Sequence, residues 1–331
     1  MAKQRYGFEW PTLVLLVACY ALWGIGLTLG TGAWLPLGIV LVALAGAQHS
    51  SLQHEIIHYH PFRDERLNEL LVSPALTLAI PYGRFRDTHR AHHTDENLTD
   101  PYDDPESNYM DPRVWYNLPG WVRSVLLLNN TLLGRMLIGP VVGQIAFMGS
   151  DWRAIRTGDR SVLVSWLLHI PAVLIVIWLV SLSPMPFWAY LVAAYAALAI
   201  LKIRTFLEHR AFPDYKGRTV IVEDRGPLAL LFLNNNLHVV HHAHPGVPWY
   251  ALPGLFRERR DAFLERNYGY RYASYGEVFS RYLLRRKDPV PHPLMPSPLD
   301  AAAGAGSMAA TDQEHDNAAG SDHGNRGIHP F

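Results

Sequence analysis

Ala33-Trp-Leu-Pro-Leu-Gly-Ile-Val-Leu-Val-Ala-Leu-Ala-Gly-Ala-Gln48 runs without interruption into His49-Ser-Ser-Leu-Gln-His54-Glu-Ile-Ile-His58. The first part is apolar, and with His49–Gln53 it is long enough for a helix that crosses a bilayer. The second part ends in two imidazoles one helical turn apart. A membrane helix that ends in a histidine pair decides both the fold class and the chemistry to look for.

The rest of the chain follows the same plan. Lys and Arg are absent from Glu9 to Phe62 and again from Ser161 to Leu201. A soluble domain scatters its charges, whereas a bilayer excludes them from spanning segments. The sequence predicts an all-α integral membrane protein with about four transmembrane helices: Pro11–Leu29, Ala33–Gln48, Val162–Leu182 and Phe187–Leu201. Gly30-Thr-Gly and Ser183-Pro-Met-Pro join them as two antiparallel hairpins. Basic residues are confined to the N-terminus, the middle loop and the C-terminal part, so the positive-inside rule makes those regions cytoplasmic, with every histidine cluster on that side. The expected location is a multi-pass bacterial inner membrane. Leu67–Ile80 and Leu126–Met148 are expected to lie in the interface or to be re-entrant, because a single crossing by either would separate the histidines.

Beyond His242, Arg257–Arg266 and Tyr275–Arg286 have the pattern of amphipathic helices in a cytoplasmic cap. Residues 1–290 are expected to form one membrane domain, and 291–331 a disordered polar tail. With Lys+Arg equal to Asp+Glu at 29 each, no basic face for nucleic acid is implied. The lone Cys19 excludes an internal disulfide and cysteine-ligated clusters. Lys3 and Arg5 precede an apolar run that continues through Leu29, which reads as a signal anchor, not a cleaved signal peptide.

Nine histidines recur in order: His54 and His58; His89, His92 and His93; His209; His238, His241 and His242. Positions i, i+3 and i+4 of a helix share a face, so each box presents its imidazoles to one side. Together they supply enough nitrogen ligands for two metal ions, and a nitrogen-rich, sulfur-poor set suits two redox-active irons. Alone, any such pair is more often a surface or hydrogen-bonding pair. His49, His60 and His244 fall off the spacing. His169 lies mid-span and reads as a packing residue. His292, His315, His323 and His329 read as solvated. Glu55, Glu208, Asp95, Asp100, Asp103 and Asp104 lie near the boxes, where a carboxylate can accept the second ring N–H of a bound histidine. Asn234 and Asn235 precede the last box; one of them can hold a metal-bound water or cap the helix.

The ordered series His-x-x-x-His, His-x-x-His-His, an isolated His and His-x-x-His-His resembles the membrane fatty acid desaturase/hydroxylase superfamily. Asn235-Asn-Leu-His-Val-Val-His-His-Ala-His-Pro-Gly-Val-Pro-Trp-Tyr250 looks like the third box of bacterial acyl-lipid desaturases and carotenoid ketolases. The resemblance covers Gln53 to Tyr250. It implies a non-haem di-iron centre, molecular oxygen as co-substrate, a membrane lipid or other apolar substrate, and a separate electron donor of ferredoxin, rubredoxin or cytochrome b5 type. Many desaturases carry Asp where this chain has Glu55.

The leading expectation is therefore a fatty acyl desaturase. The alternative is a lipid or hydrocarbon oxygenase with the same centre, such as a carotenoid ketolase or an aminolipid hydroxylase. Two remoter readings are a zinc protease built on His54-Glu-Ile-Ile-His58 and a membrane metal carrier. Arg84, Arg86, Arg90, Lys216 and Arg218 are candidates to dock an acidic donor.

Overall fold

A computed structural model describes residues 9–297. The expected disorder of the tail, with His315, His323 and His329, falls outside the described residues apart from its first few positions, and so do Lys3 and Arg5. Helix α1 (Trp10–Thr28) and helix α2 (Leu35–Ile57) form the first hairpin. Short helices follow: α3 (Glu65–Val72), α4 (Tyr82–His92), α5 (Pro112–Asn117) and α6 (Gly120–Asn129). Then come α7 (Leu132–Arg156), α8 (Arg160–Ser181) and α9 (Phe187–Thr205).

After α9 the chain forms α10 (Pro227–Leu231), α11 (His238–Ala243), α12 (Leu252–Glu258), α13 (Arg260–Arg266) and α14 (Tyr275–Tyr282). Two short strands, β1 (Ile221–Val222) and β2 (Arg271–Tyr272), pair in parallel within this region. The expected helix Arg257–Arg266 is broken at Arg259, whose backbone (φ −129°) leaves the helical region. The chain is thus an all-α, multi-span membrane protein in all but these four strand residues.

Among the described residues, five helices are long and apolar enough to cross a membrane: Trp10–Thr28, Gly32–Ile57, Leu132–Arg156, Arg160–Ser181 and Phe187–Thr205. The sequence reading placed Leu126–Met148 in the interface. In the structure that stretch is divided between α6 and a 25-residue α7 that meets the same standard of length and composition as the other four. Asn130 and Thr131 break it, the Thr131 hydroxyl accepting the Gly134 N–H as an N-cap.

Small residues set the spacing of the first hairpin. A Cβ on Gly38 would stand 2.8 Å from the Gly26 carbonyl oxygen and from Gly30 Cα. Between helices in lipid, such close backbone approach replaces the hydrophobic drive available in water. The first core groups Leu16, Trp23, Val42, Leu52, Val72, Val176 and Tyr190, from α1, α2, α3, α8 and α9.

Residues 73–81 are not helical, although they lie among the spans. Irregular backbone at that depth is tolerated only where its polar groups are satisfied inside protein. Side chains of the surrounding helices provide this, both within the segment and at the last carbonyls of α3 that lead into it. The hydroxyl of Tyr20 donates to the Leu71 carbonyl (2.7 Å), Gln53 Nε2 to Val72 (3.1 Å), Tyr190 to Leu76 (2.7 Å) and Gln144 Nε2 to Ala79 (2.8 Å). His169 Nε2 lies 3.3 Å from the Leu78 carbonyl, so this lone histidine serves packing.

Helix α4 is moored by Asp151 of α7, which accepts two N–H bonds from Arg84 (3.0 and 2.9 Å) and one from Trp166 of α8 (2.8 Å). A second core holds Leu132, Phe206, Val220, Phe232, Tyr270 and Val278. A third holds Val240, Val247, Leu252, Phe256 and Phe263. They pack the C-terminal helices over the end of α9. His292, expected to be solvated, is buried: its Nε2 lies 3.3 Å from the Thr99 hydroxyl, and Pro291 bridges to Met110.

The hairpin geometry generates a test. Gly38→Val overpacks the α1–α2 crossing. A loss of about 1–3 kcal/mol is expected, read as a lower unfolding midpoint in detergent, whereas Gly24→Ala, with open space at its Cβ position, should be neutral.

Candidate metal centre

Four segments far apart in sequence deliver the nine histidines to one place. His54 and His58 end α2, His89 and His92 lie on α4 with His93 as its C-cap, His209 follows α9, and His238, His241 and His242 form α11. They sort into two sets. His54, His58, His89 and His241 have ligand atoms all within 4.8 Å of one another, and so do His92, His209, His238 and His242.

The second set is tight: His209 Nε2 is 2.9 Å from His92 Nε2 and 3.1 Å from His238 Nε2. In the first set, His58 Nε2 is 3.2 Å from His89 Nε2. His93 stands between the sets. Its Nε2 is 3.0 Å from that of His89 and 3.2 Å from that of His241, and its ring stacks on His242 at 4.4 Å.

Three of the other ring nitrogens turn outward to acceptors, whereas His209 Nδ1 is buried without one. His92 Nδ1 meets Asp104 Oδ1 at 2.8 Å, His238 Nδ1 meets Asn235 Oδ1 at 2.9 Å, and His89 Nδ1 meets Glu106 Oε1 at 3.2 Å. An imidazole that donates from Nδ1 presents a bare lone pair at Nε2, which is the tautomer a metal requires. His54 Nε2 is buried with no hydrogen-bond partner. Burial also holds His209, His238 and His241 far below the usual histidine range, so they stay neutral. Burial would lower His92 too, but Glu106 and Asp104 outweigh it and raise it to about 9. At about 3 Å two Nε2 atoms either share a proton, as a charged His92 would with His209, or share a cation that takes the proton's place. The residues therefore fit two metal ions, and a nitrogen set without sulfur fits iron.

The expected outer groups fare unevenly. Asn235 is in contact, and its Nδ2 donates to Glu208 Oε1 at 3.1 Å. Glu208 lies 3.9 Å from His238 Nδ1 and is paired with Arg204 at 2.9 Å, so it acts one step further out. Asp100 instead accepts the Tyr102 and Asp103 N–H groups, and the Asn234 amide donates to the Trp249 carbonyl. Neither is recorded against a box histidine.

Glu55 accepts the Trp249 N–H at 2.9 Å and groups with Glu9 and His60, whose Nδ1 meets both Glu9 oxygens. The protease reading loses its base by this placement, and His54 and His58 are shared with His89 and His241. His49 bonds Tyr20 (3.1 Å), and His244 lies outside both sets. Glu106 was not anticipated, and Asp104 stood only as one of four acids after the second box. Both reach the boxes because Asp104 accepts the Thr99 and Glu106 N–H groups and folds the loop back. Although burial opposes its ionisation, His92 and His89 hold the Glu106 carboxyl well below the usual range.

Asp104→Asn should weaken metal retention by about 10–100-fold with little change in helix content, measured by chelator competition and circular dichroism. Asp100→Asn should not.

Comparison with known proteins agrees with this geometry. Residues 31–274, well over half of the chain, match the family described as Fatty acid desaturase. The beta-carotene ketolase of Paracoccus sp. (strain N81106 / MBIC 01143) is 26% identical over 230 residues, covering 66% of this chain and 74% of its own length. The beta-carotene ketolase of Paracoccus sp. (strain PC1) is 26% identical over 252 residues, covering 72% and 78%. With its ordered boxes gathered into two imidazole sets beside membrane helices, the chain belongs to the fatty acid desaturase family of histidine-box, non-haem di-iron oxidoreductases.

Proposed function

We propose that this chain inserts oxygen into an apolar, membrane-dissolved substrate in the manner of a carotenoid ketolase. The observation that carries this reading is that both relatives named above are ketolases. The acyl-desaturase expectation rests on the family description alone and becomes the second reading.

In this reading His54, His58, His89, His93 and His241 hold one iron, and His92, His209, His238 and His242 the other. The iron pair supplies the power to oxidise an unactivated or allylic C–H bond with molecular oxygen, which side-chain acids and bases lack. The chain's own residues fix the imidazole tautomers through Asp104, Glu106 and Asn235, and they keep the site dry by burial. An external donor supplies the electrons.

Four of the five long helices cross the bilayer in this proposal. The contact of His58 with His89 returns residues 59–88 to the face they left. The contact of His92 with His209 supports an even number of crossings among α7, α8 and α9. Residues 182–186 close α8 and α9 into a hairpin, so α7 lies along the histidine-bearing face. Its distribution of charge supports this, with Arg135 in its first turn and Arg153 and Arg156 in its last. The positive-inside rule makes that face cytoplasmic.

Three outcomes are expected. Purified protein should hold about two irons per chain and no stoichiometric zinc; one zinc with negligible iron would sink the di-iron reading. In cells that accumulate a hydrocarbon carotenoid, the chain should convert a ring CH2 to C=O with oxygen drawn from O2, and His242→Ala should abolish this. New double bonds in acyl chains beside unchanged carotenoid would instead select the desaturase. With Cys19 replaced, a cysteine at Ser183 should label from outside only and one at Asn108 from inside only.

A further inference from the structure

The arginines expected to dock an electron donor are already engaged. Arg84 pairs with Asp151, Arg86 with Asp87 (2.9 Å) and Glu69 (3.4 Å), and Arg90 with Glu65 (2.9 Å). Arg218 donates to the carbonyls of Phe212 (2.9 Å) and Leu98 (2.6 Å). These groups hold the boxes in place. Lys216 alone of the five turns elsewhere.

Lys216 lines a cleft of about 540 Å³ together with Ala243, His244, Arg259, Phe263, Arg266 and Glu265. Arg266 is itself engaged, so Lys216 and Arg259 are the two cations that face the Glu265 carboxylate there. Glu258 and Asp261, on the same helices, do not line it. Arg260 is drawn away by Glu223 (2.7 Å), as is Arg271 (2.9 Å). Lys216 and Arg259 are exposed, while Ala243 and His244 floor the cleft half-buried.

That floor is the C-terminal end of α11. Ala243 and His244 follow His242 directly, so the His244 Cα lies at most about 7.6 Å from that of His242. A surface that is positive, open to solvent and two peptide links from an imidazole of the second set suits a negatively charged protein that must deliver electrons there.

We propose that the Lys216–His244–Arg259 cleft docks an acidic one-electron carrier protein and passes its electrons through α11 to the centre at His242. The proposal rests on the di-iron oxygenase reading above. For each oxygen inserted, two reduced carriers lose one electron each. Two further electrons come from the substrate C–H bond. One oxygen atom enters the substrate, and the other leaves as water with two protons from solvent. Long-range attraction between opposite charges raises the encounter rate and is screened by salt.

The test uses the full chain in lipid nanodiscs and a plant-type [2Fe–2S] ferredoxin with an acidic surface. The wild type should bind it directly, with affinity falling as ionic strength rises. The double variant Lys216→Glu/Arg259→Glu should weaken that binding, and raise the KM for ferredoxin, at least tenfold. Its iron content, its KM for the lipid substrate and its turnover with a small chemical reductant should stay as in the wild type. Lys216→Arg/Arg259→Lys should restore binding, and Arg285→Glu should leave it unchanged.

Unaltered ferredoxin binding in the charge-reversed variant, or no binding to an iron-loaded wild type, overturns the docking proposal and leaves the oxygenase reading intact. Loss of binding to anionic vesicles with ferredoxin binding preserved assigns the cleft to lipid headgroups and likewise overturns it. A wild type that takes up no iron overturns the oxygenase reading itself.

Discussion

The structure depends on one electrostatic constraint, which is that neutral imidazole nitrogens must share a small buried space. Nε2 atoms from α4, α11 and the segment after α9 meet at about 3 Å, and that of His58, at the end of α2, joins α4 at 3.2 Å. Without a metal such a pair must share a proton; a cation takes that proton's place among the lone pairs. For the lone pairs to point inward, the protons must sit on Nδ1 and find acceptors outside. Asp104, Glu106 and Asn235 are those acceptors. The carboxylates are therefore part of the same constraint as the histidines.

Bringing those segments together dictates the path of the chain. Every stretch between two boxes has to return to the face it left. The stretch from His58 to His89 does so without a second hairpin, and the cost falls on residues 73–81, which enter the bundle unhelical. Each unsatisfied carbonyl there would cost several kcal/mol in hydrocarbon. Tyr20, Gln53, Gln144 and Tyr190 remove that cost from α2, α7 and the two spans beside them. Their polar side chains in otherwise apolar helices are explained by what they cap. Asp151 and Arg84 do the same for orientation, fixing α4 so that His89 and His92 face α2 and α11.

The histidine boxes were legible because helical spacing is a local property: i, i+3 and i+4 place imidazoles on one side whatever surrounds them. Membrane spans were legible for a similar reason, since exclusion of charge acts residue by residue. What was not legible depends on how loops fold. Asp100 and Asp104 differ only by four positions in an acidic loop, and Asp104 is selected because Thr99 takes a left-handed conformation (φ 73°) that turns the chain toward α4. His292 was read as solvated from its polar neighbourhood, yet the bridge from Pro291 to Met110 carries it into the interior. Arg84, Arg86, Arg90 and Arg218 stand in the sequence as candidates to dock a donor because sequence shows charge but not partner. Desaturation and oxygen insertion use one ligand set, so no ligand could distinguish them.

The placement of acids around the site has a common cause. An imidazole that ligates a metal brings no charge, so two iron ions would carry their full positive charge into a buried pocket, which is costly without nearby anions. Asp104 and Glu106 stand one hydrogen bond behind the imidazoles, and Glu208 one bond further behind Asn235. Placed there, they offset the metals' charge without occupying a coordination position. Arg204 draws Glu208 the other way at 2.9 Å, so the compensation falls mainly on the two acids behind α4. That helix therefore contributes both its imidazoles and the anchoring point for most of the neutralising charge, which is why its attachment through Arg84 to Asp151 matters to the chemistry as well as to the fold.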